Sequence, residues 1–290
     1  MLPDPTRTLA DLLEVYMMQY LPTKAPTTQR GQGALCRWFQ RELGTLLLHE
    51  VTPRYLRGLR DRLAQGRKPG TVRVYLDVLS AALTVAVEEL EWLPSHPMRQ
   101  VRKPAPSPGV VRFLSLEERD RLLAACRASR HPALYTIVLL ALHTGARKRE
   151  VLWLQWPQVA LERQLIYFTV TKNRQSRAVP LSVVALEALA TYAARPRHTL
   201  WVFPRTDGKC PPNIDHAWHK ARDAAGLSTF RFHDLRHSAA SYLAMSGASL
   251  LDIAEILGHK TMAMVRRYAH LSATHVAGVM QRMSDQFLAE

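Results

Sequence analysis

The chain reads as mainly α-helical, with a small antiparallel β-sheet confined to its second domain. Three observations lead there. Apolar residues recur at three- and four-residue spacing through most of the 290 residues, the period of an amphipathic helix. One region, around residues 165–181, is instead rich in β-branched and aromatic residues on either side of a polar insert, the signature of a hairpin. A proline-rich stretch divides the pattern into two parts, each long enough to bury a core of its own.

From Thr8, the residues Leu9, Leu12, Leu13, Tyr16, Met17 and Tyr20 form one helical stripe. A second helix runs from Thr28 past Leu35, Trp38 and Phe39 towards Leu43. The third starts at Thr52 and carries Tyr55, Leu56, Leu59 and Leu63, with Arg54, Arg57, Arg60 and Arg62 around them. Gly66 and Pro69-Gly70 end it, and a long fourth helix follows, with Val72, Leu76, Leu79, Leu83, Val87 and Leu90 on its apolar side. Residues 1–93 are thus a four-helix domain of ordinary size. Pro94, Pro97, Pro104, Pro106 and Pro108, with Gly109, exclude continuous helix over 94–112. That segment reads as a linker, extended and semi-rigid.

The second domain is expected over 113–270. Ser115-Leu-Glu-Glu118 is a capping box that opens a helix through Leu122 and Leu123. The run Leu134–Leu142 is a buried helix that stops at Thr144-Gly145, and Lys148–Leu154 is the next. Leu165–Thr171 and Ala178–Leu181 are the hairpin strands, with Lys172 at the edge. Leu200–Phe203 reads as one more short strand, and helices follow over about 182–194, 212–225, 234–246, 249–257 and 261–270. Beyond them, 271–290 carries Val276, Val279, Met280, Met283, Phe287 and Leu288, an amphipathic set for a C-terminal helix.

Charge narrows the function. Lys and Arg number 39 against 24 Asp and Glu, a net of +15, with +5 in residues 1–104 and +10 in the rest. Both domains therefore attract a polyanion, nucleic acid or an anionic surface. The membrane version is disfavoured, since no apolar run is seen to approach the ~20 residues that span a bilayer. The N-terminus has no secretory pattern. Cys36, Cys126 and Cys210 are too few and too scattered for a disulfide framework or a metal cluster. A reducing compartment, cytoplasm or nucleoid, is expected.

The chemistry gathers between Phe232 and His270. His233 and Arg236, three apart, lie on one side of the helix that starts there. His259 follows in Leu257-Gly258-His259, and Tyr268 in Arg267-Tyr-Ala-His270. Far upstream, Arg147 and Glu150 share a helix face just after a glycine break. That spacing suits a surface ion pair of ~0.2–0.5 kcal/mol, and its place at a helix start also suits an anion. Together Arg147, Lys172, His233, Arg236, His259 and Tyr268 are what phosphoryl transfer without a metal requires. Guanidinium forks neutralise non-bridging oxygens bidentately. A Lys or His supplies a proton to the leaving oxygen and another His removes one from the nucleophile. Tyrosine, with a free pKa of ~10, needs that help.

Thr144-Gly-Ala-Arg147-Lys-Arg-Glu150, Thr171-Lys172, His233-Asp-Leu-Arg236-His237, Leu257-Gly-His259 and Tyr268-Ala-His270, in that order, resemble the tyrosine recombinase (phage integrase) family. The resemblance covers essentially the whole chain. It implies a helical core-DNA-binding domain, a linker and a catalytic domain, in a two-domain arrangement of the Xer or Cre type without an arm-binding domain. It implies that Arg147 and Arg236 hold the scissile phosphate and that Lys172 protonates the departing 5′-oxygen. By the same resemblance His233 serves the tyrosine as acid and base, His259 hydrogen-bonds the phosphate, and Glu150 orients Arg147. Tyr268 would form a 3′-phosphotyrosyl link, and no metal or other cofactor is expected. The implied partners are duplex DNA with specific core sites, three further copies of the chain in a tetramer on two sites, and an accessory DNA-bending or directionality protein. Residues 271–290 would be a helix exchanged between subunits. A type IB topoisomerase and a non-catalytic site-specific DNA-binding protein are the alternative readings.

Overall fold

In the computed structural model, Thr8 opens the first helix. Its hydroxyl accepts from the Asp11 backbone N–H, and the Asp11 carboxylate accepts from Thr8 N at 2.8 Å. Two otherwise orphaned donors are satisfied reciprocally. The structure describes residues 4–105, 112–169, 176–194, 200–205, 207 and 211–288, without the side chains of 272–277, 279 and 282. They form two compact units, Met1–Gly109 and Val110–Glu290.

The first unit contains α1 (Leu9–Val15), which runs into a π-helical turn at Tyr16–Tyr20, then α2 (Pro26–Leu43), α3 (Pro53–Ala64) and α4 (Pro69–Glu88). Proline opens α2, α3 and α4, at the helical position whose N–H has no partner in any case. Leu12, Phe39, Leu56, Leu76 and Leu79 are wholly or almost wholly buried in its core. By length and composition α4 could cross a membrane, which corrects the expectation that no segment is long and apolar enough. Its apolar face lies in the core, with Val72, Leu76, Leu79 and Leu83 fully buried, and its Asp77 pairs with Lys103 at 2.8 Å.

The stretch expected as an extended linker differs in its first half. Pro97–Gln100 is a short 3₁₀ turn, and Met98 and Val101 are buried in the first unit's core. Arg60 and Arg73 donate to the carbonyls of Arg102 and Pro104. Proline excludes α-helix there, but it does not exclude packing. Pro106, Pro108 and Gly109 lie outside the described residues.

The second unit is built on α6 (Leu134–Thr144), which packs against α5 (Leu116–Arg127), α7 (Lys148–Leu152), α8 (Val183–Ala193) and α10 (Asp234–Met245). A three-stranded antiparallel sheet has the order β1 (Val159–Ala160), β2 (Leu165–Phe168), β3 (Arg177–Pro180). Ile166 pairs with Val179, and both are buried on the face towards the core. Helices α9 (Asp215–Ala224), α11 (Leu250–Leu257) and α12 (Ala273–Phe287) complete it. Cys36 and Cys126 are buried, one in each unit. Burial pushes their thiols up to about 11 and about 12; Cys210 lies outside the described residues.

Strand β1 adds to the expected hairpin; its two residues are too few for a period to show in the sequence. Two further expectations are corrected. Leu200–Phe203 is not a strand but a single bridge, Gln155 opposite Trp201, held by Trp156 N to Leu200 O at 3.0 Å and Val202 N to Leu154 O at 2.9 Å. Residues 261–270 are not α-helical. Met262–Met264 and Arg266–Ser272 are 3₁₀ turns, so Val265 and Tyr268, three apart, eclipse on one edge. Both are buried against α10 and α11.

Candidate active site

The turn after α6 sets the first part of the site. Thr144 donates its hydroxyl to Leu140 O and accepts from Ala146 N at 3.2 Å, closing the helix end. Gly145 then adopts a left-handed conformation, φ 61°, where a Cβ would lie 2.9 Å from Leu257 Cγ. Any other residue meets both the left-handed penalty and that contact. The turn delivers Arg147 to the N-cap of α7, and the Gly145 carbonyl accepts from Arg236 Nη1 of α10 at 2.8 Å.

Arg147 is held by Glu150. Its Nη1 donates to Glu150 Oε1 at 2.7 Å and its backbone N–H to Oε2 at 3.0 Å. The Glu150 side chain is only 5% exposed, so this is not the solvated surface pair that the spacing also allowed. A second guanidinium, that of Arg177 in β3, donates to Glu150 Oε2 at 2.7 Å and is itself 7% exposed. Burial pushes the Glu150 carboxyl up, but Arg177 and then Arg147 outweigh it, and the group stays below the ordinary range.

Helix α10 supplies the second part. Asp234 takes up the chain's entry by accepting from Arg231 N at 2.8 Å. His233, at the N-cap, makes no capping hydrogen bond. Arg236, three residues on, is buried. His237 is four residues from His233 on the same face, their rings 5.4 Å apart and edge to face. Its Nδ1 lies 2.6 Å from the Tyr268 hydroxyl. The side chain hydrogen-bonded to the tyrosine hydroxyl is therefore that of His237. Helix α11 ends at Gly258 with φ 67°, and His259 follows in the turn. Arg236 lies within electrostatic range of Arg147, His233, His259 and Tyr268. Lys172 lies outside the described residues, between the end of β2 at Phe168 and the start of β3 at Arg177.

Several buried polar atoms at this place have no partner. Arg236 Nη2, Arg177 Nη1 and His259 Nδ1 are buried without a hydrogen-bond partner, as is the Ser241 hydroxyl on α10. Native proteins leave few such groups, and each costs about 1–3 kcal/mol. An anion presenting several oxygens would relieve the cationic ones together. Burial, then Arg147 and Arg177, push the Arg236 guanidinium down to about 9, so an anion bound beside it would favour its charged form. Burial holds Tyr268 above its usual value despite the opposing fields of Arg267 and Arg236. The phenol is thus protonated at neutral pH and needs a base. Among the described residues, no three His, Cys, Asp or Glu side chains are placed to share a metal ion.

His237 and His259 are both pushed down to about 4, by burial first and then by neighbouring cationic or imidazole groups. Both bind a proton more readily in the unfolded chain, near the ordinary 6.5, than in the folded one. Stability therefore falls as the pH drops from about 6.5 towards 4, and His233 and His131, lowered in the same sense, add to the fall. Thermal melts without DNA between pH 7 and pH 5 should show it, and the double variant His237→Gln, His259→Gln should show a smaller drop. Equal slopes for the two chains would contradict the assignment.

Residues 112–275 match the phage integrase family. The chain belongs to that family. Among its relatives is the putative integrase of Pseudomonas phage Pf1, 32% identical over 274 residues, 94% of this chain and 78% of the relative. The integrase of Salmonella phage P22 is 29% identical over 75% of this chain, and the shufflon-specific DNA recombinase of Escherichia coli 34% over 70%. The alignments span 58% and 51% of those two proteins' own lengths. Two solved structures share the fold. The Tn1549 transposon integrase in complex with a circular intermediate DNA superposes with a TM-score of 0.76 at 17% identity, covering 96% of this chain and 99% of the other. A lambda integrase tetramer bound to a Holliday junction gives 0.75 at 20% identity, covering 89% and 79%.

The sequence reading gives no role to two residues of this candidate site, His237 and Arg177. His237 could have been found from its spacing to His233, since residues four apart share a helix face. Arg177 could have been found from strand alternation: it shares a face with buried Val179 in β3. Neither spacing names the partner, which in both cases is distant in sequence.

Proposed function

We propose that this chain is a site-specific DNA recombinase that cuts and rejoins DNA through a 3′-phosphotyrosyl intermediate and a Holliday junction. The contact between Tyr268 and His237, beside buried cationic donors that lack an acceptor, carries this reading. The Tyr268 oxygen attacks the scissile phosphorus and its proton passes to neutral His237. The bond from phosphorus to the 5′-oxygen breaks, and Lys172 gives that oxygen its proton. Arg147 and Arg236 hold the non-bridging oxygens, His259 donates to one of them, and Glu150 keeps Arg147 in place. His233 stands beside His237 as the next group in the proton path. Attack by a 5′-hydroxyl from the partner duplex reverses the chemistry and completes the exchange.

The substrate in this reading is duplex DNA with specific core sites, bound by a homo-tetramer on two of them, with an accessory DNA-bending or directionality protein. The four-helix unit up to residue 93 would bind the core site, residues 113–270 would catalyse, and the protein would work at the nucleoid. Arg54, Arg57 and Lys68 are exposed and available to phosphates, whereas Arg60 is engaged with Asp61 and the Arg102 carbonyl. On α12, Met280, Met283 and Phe287 are exposed, the apolar side that a neighbouring subunit would cover in the tetramer.

A nicked suicide duplex carrying the target site tests the proposal. Incubated with the protein and EDTA and run on a denaturing gel, it should yield a covalent protein–DNA band, and paired sites should recombine. No band with any offered site would sink the catalytic assignment. Relaxation of supercoils without exchange between sites would sink the recombinase reading. With His237→Gln, which keeps a polar partner for the hydroxyl but takes no proton, the band should form about 10²–10⁴-fold more slowly. DNA binding in a gel shift should persist. A wild-type cleavage rate would return the base role to His233.

A further inference from the structure

We propose that Arg177 is a positioning residue for strand cleavage, one side chain that fixes β3 to both Arg147 and the turn bearing His259. The inference rests on the recombinase reading above and adds to it a residue with no assigned role.

The geometry is specific. Arg177 Nη2 donates to Glu150 Oε2 at 2.7 Å, and its Nε donates to the Ile256 carbonyl, in the last turn of α11, at 2.9 Å. Its guanidinium carbon lies 4.5 Å from the centre of the Phe168 ring, its register partner in β2. Gly258 lies against it: a Cβ there would come within 3.3 Å of Arg177 Cδ and Nη1. One planar fork therefore ties the carboxylate that holds Arg147 to the backbone three residues before His259. A lysine, with one compact ammonium, could not serve both directions at once.

A purely structural ion pair would show the same contacts, so the test needs a readout beyond stability. Glu150 faces Arg147 on α7 and Arg177 on β3, and its field is also felt at Arg236 on α10. Without Arg177 the buried carboxylate loses its strongest cationic partner and takes up a proton more easily. Protonated, it can no longer accept from both the Nη1 and the backbone N–H of Arg147. The loss should then depend on pH, deepest in acid and relieved in alkali.

Single-turnover cleavage of the suicide duplex should be followed from pH 6 to pH 9 with wild type, Arg177→Met, Arg177→Lys and the double variant Arg177→Met, Glu150→Gln. Arg177→Met should cleave on the order of 10²-fold more slowly than wild type at pH 7, the cost of a small misplacement of a catalytic group. Its ratio to wild type should rise about tenfold across the range, while gel-shift affinity changes little. The double variant has no carboxylate to titrate and should show a flat ratio. Arg177→Lys, which keeps Glu150 ionised but loses one tether, should be about tenfold slow with a flat ratio; it carries the test by itself if Arg177→Met does not fold. Wild-type cleavage by Arg177→Lys would overturn the proposal, and so would a pH-independent ratio for a folded Arg177→Met chain. Failure of the wild-type chain to form any covalent band would instead count against the recombinase reading.

Discussion

A Tyr268→Phe chain should fold, bind DNA and form no covalent complex at all. The ring is 1% exposed and packs with Ala240, Ala244, Ile253 and Leu257, and phenylalanine fills the same volume. The lost oxygen had one protein partner, His237 Nδ1. Removing it costs about 0.5–1.5 kcal/mol for the hydrogen bond. The melting temperature should therefore move by only a few degrees for a unit of this size. Cleavage has no comparable tolerance, because in the proposed reaction the oxygen is the atom that bonds to phosphorus. The denaturing-gel band should vanish, while the gel-shifted complex keeps its affinity. A band that survives Tyr268→Phe would show that another residue attacks.

Glu150→Ala should be the most damaging single change to stability. Glu150 accepts three hydrogen bonds from two arginines, and its side chain is 5% exposed. Without it, Arg147 and the 7%-exposed Arg177 face each other with no anion between them. Breaking a buried pair from one side costs about 3–5 kcal/mol, since the surviving charge stays buried and uncompensated. At ~2–4 °C per kcal/mol for a unit of this size, the melting temperature should fall by roughly 6–20 °C. Added salt should not restore it, because the site is screened poorly. Glu150→Gln, which still accepts hydrogen bonds, should lose less. The pH dependence has a defined sign. The folded carboxyl lies below its ordinary 4.5, so its contribution is full above that value and disappears as the pH falls through the folded pKa. A melt of Glu150→Ala within a degree or two of wild type would remove Glu150 as the organising anion of the site.

The sequence was informative where structure is decided locally. The capping box at Ser115, the period of apolar residues in α4 and the apolar run of α6 depend on neighbours within a few positions. It misled where local preference and packing diverge. Pro94, Pro97 and Pro104 interrupt any continuous helix, yet Met98 and Val101 still bury themselves in the first core. Residues 261–270 carry a helical stripe, but the left-handed stop at Gly258 and the extended Thr261 reset the chain into 3₁₀ turns.

For the candidate site, the sequence alone determined which side-chain types are present and in what order: the two arginines, the histidines and the tyrosine. Tertiary structure decided which histidine meets Tyr268 and which arginine neutralises Glu150. His237 and Tyr268 are 31 positions apart and Glu150 and Arg177 are 27 apart, beyond any helical or strand period. Those partnerships exist only because α10, the turns after α11 and β3 are packed around α6 and α7, and a buried charge or phenol must take whatever partner that packing provides.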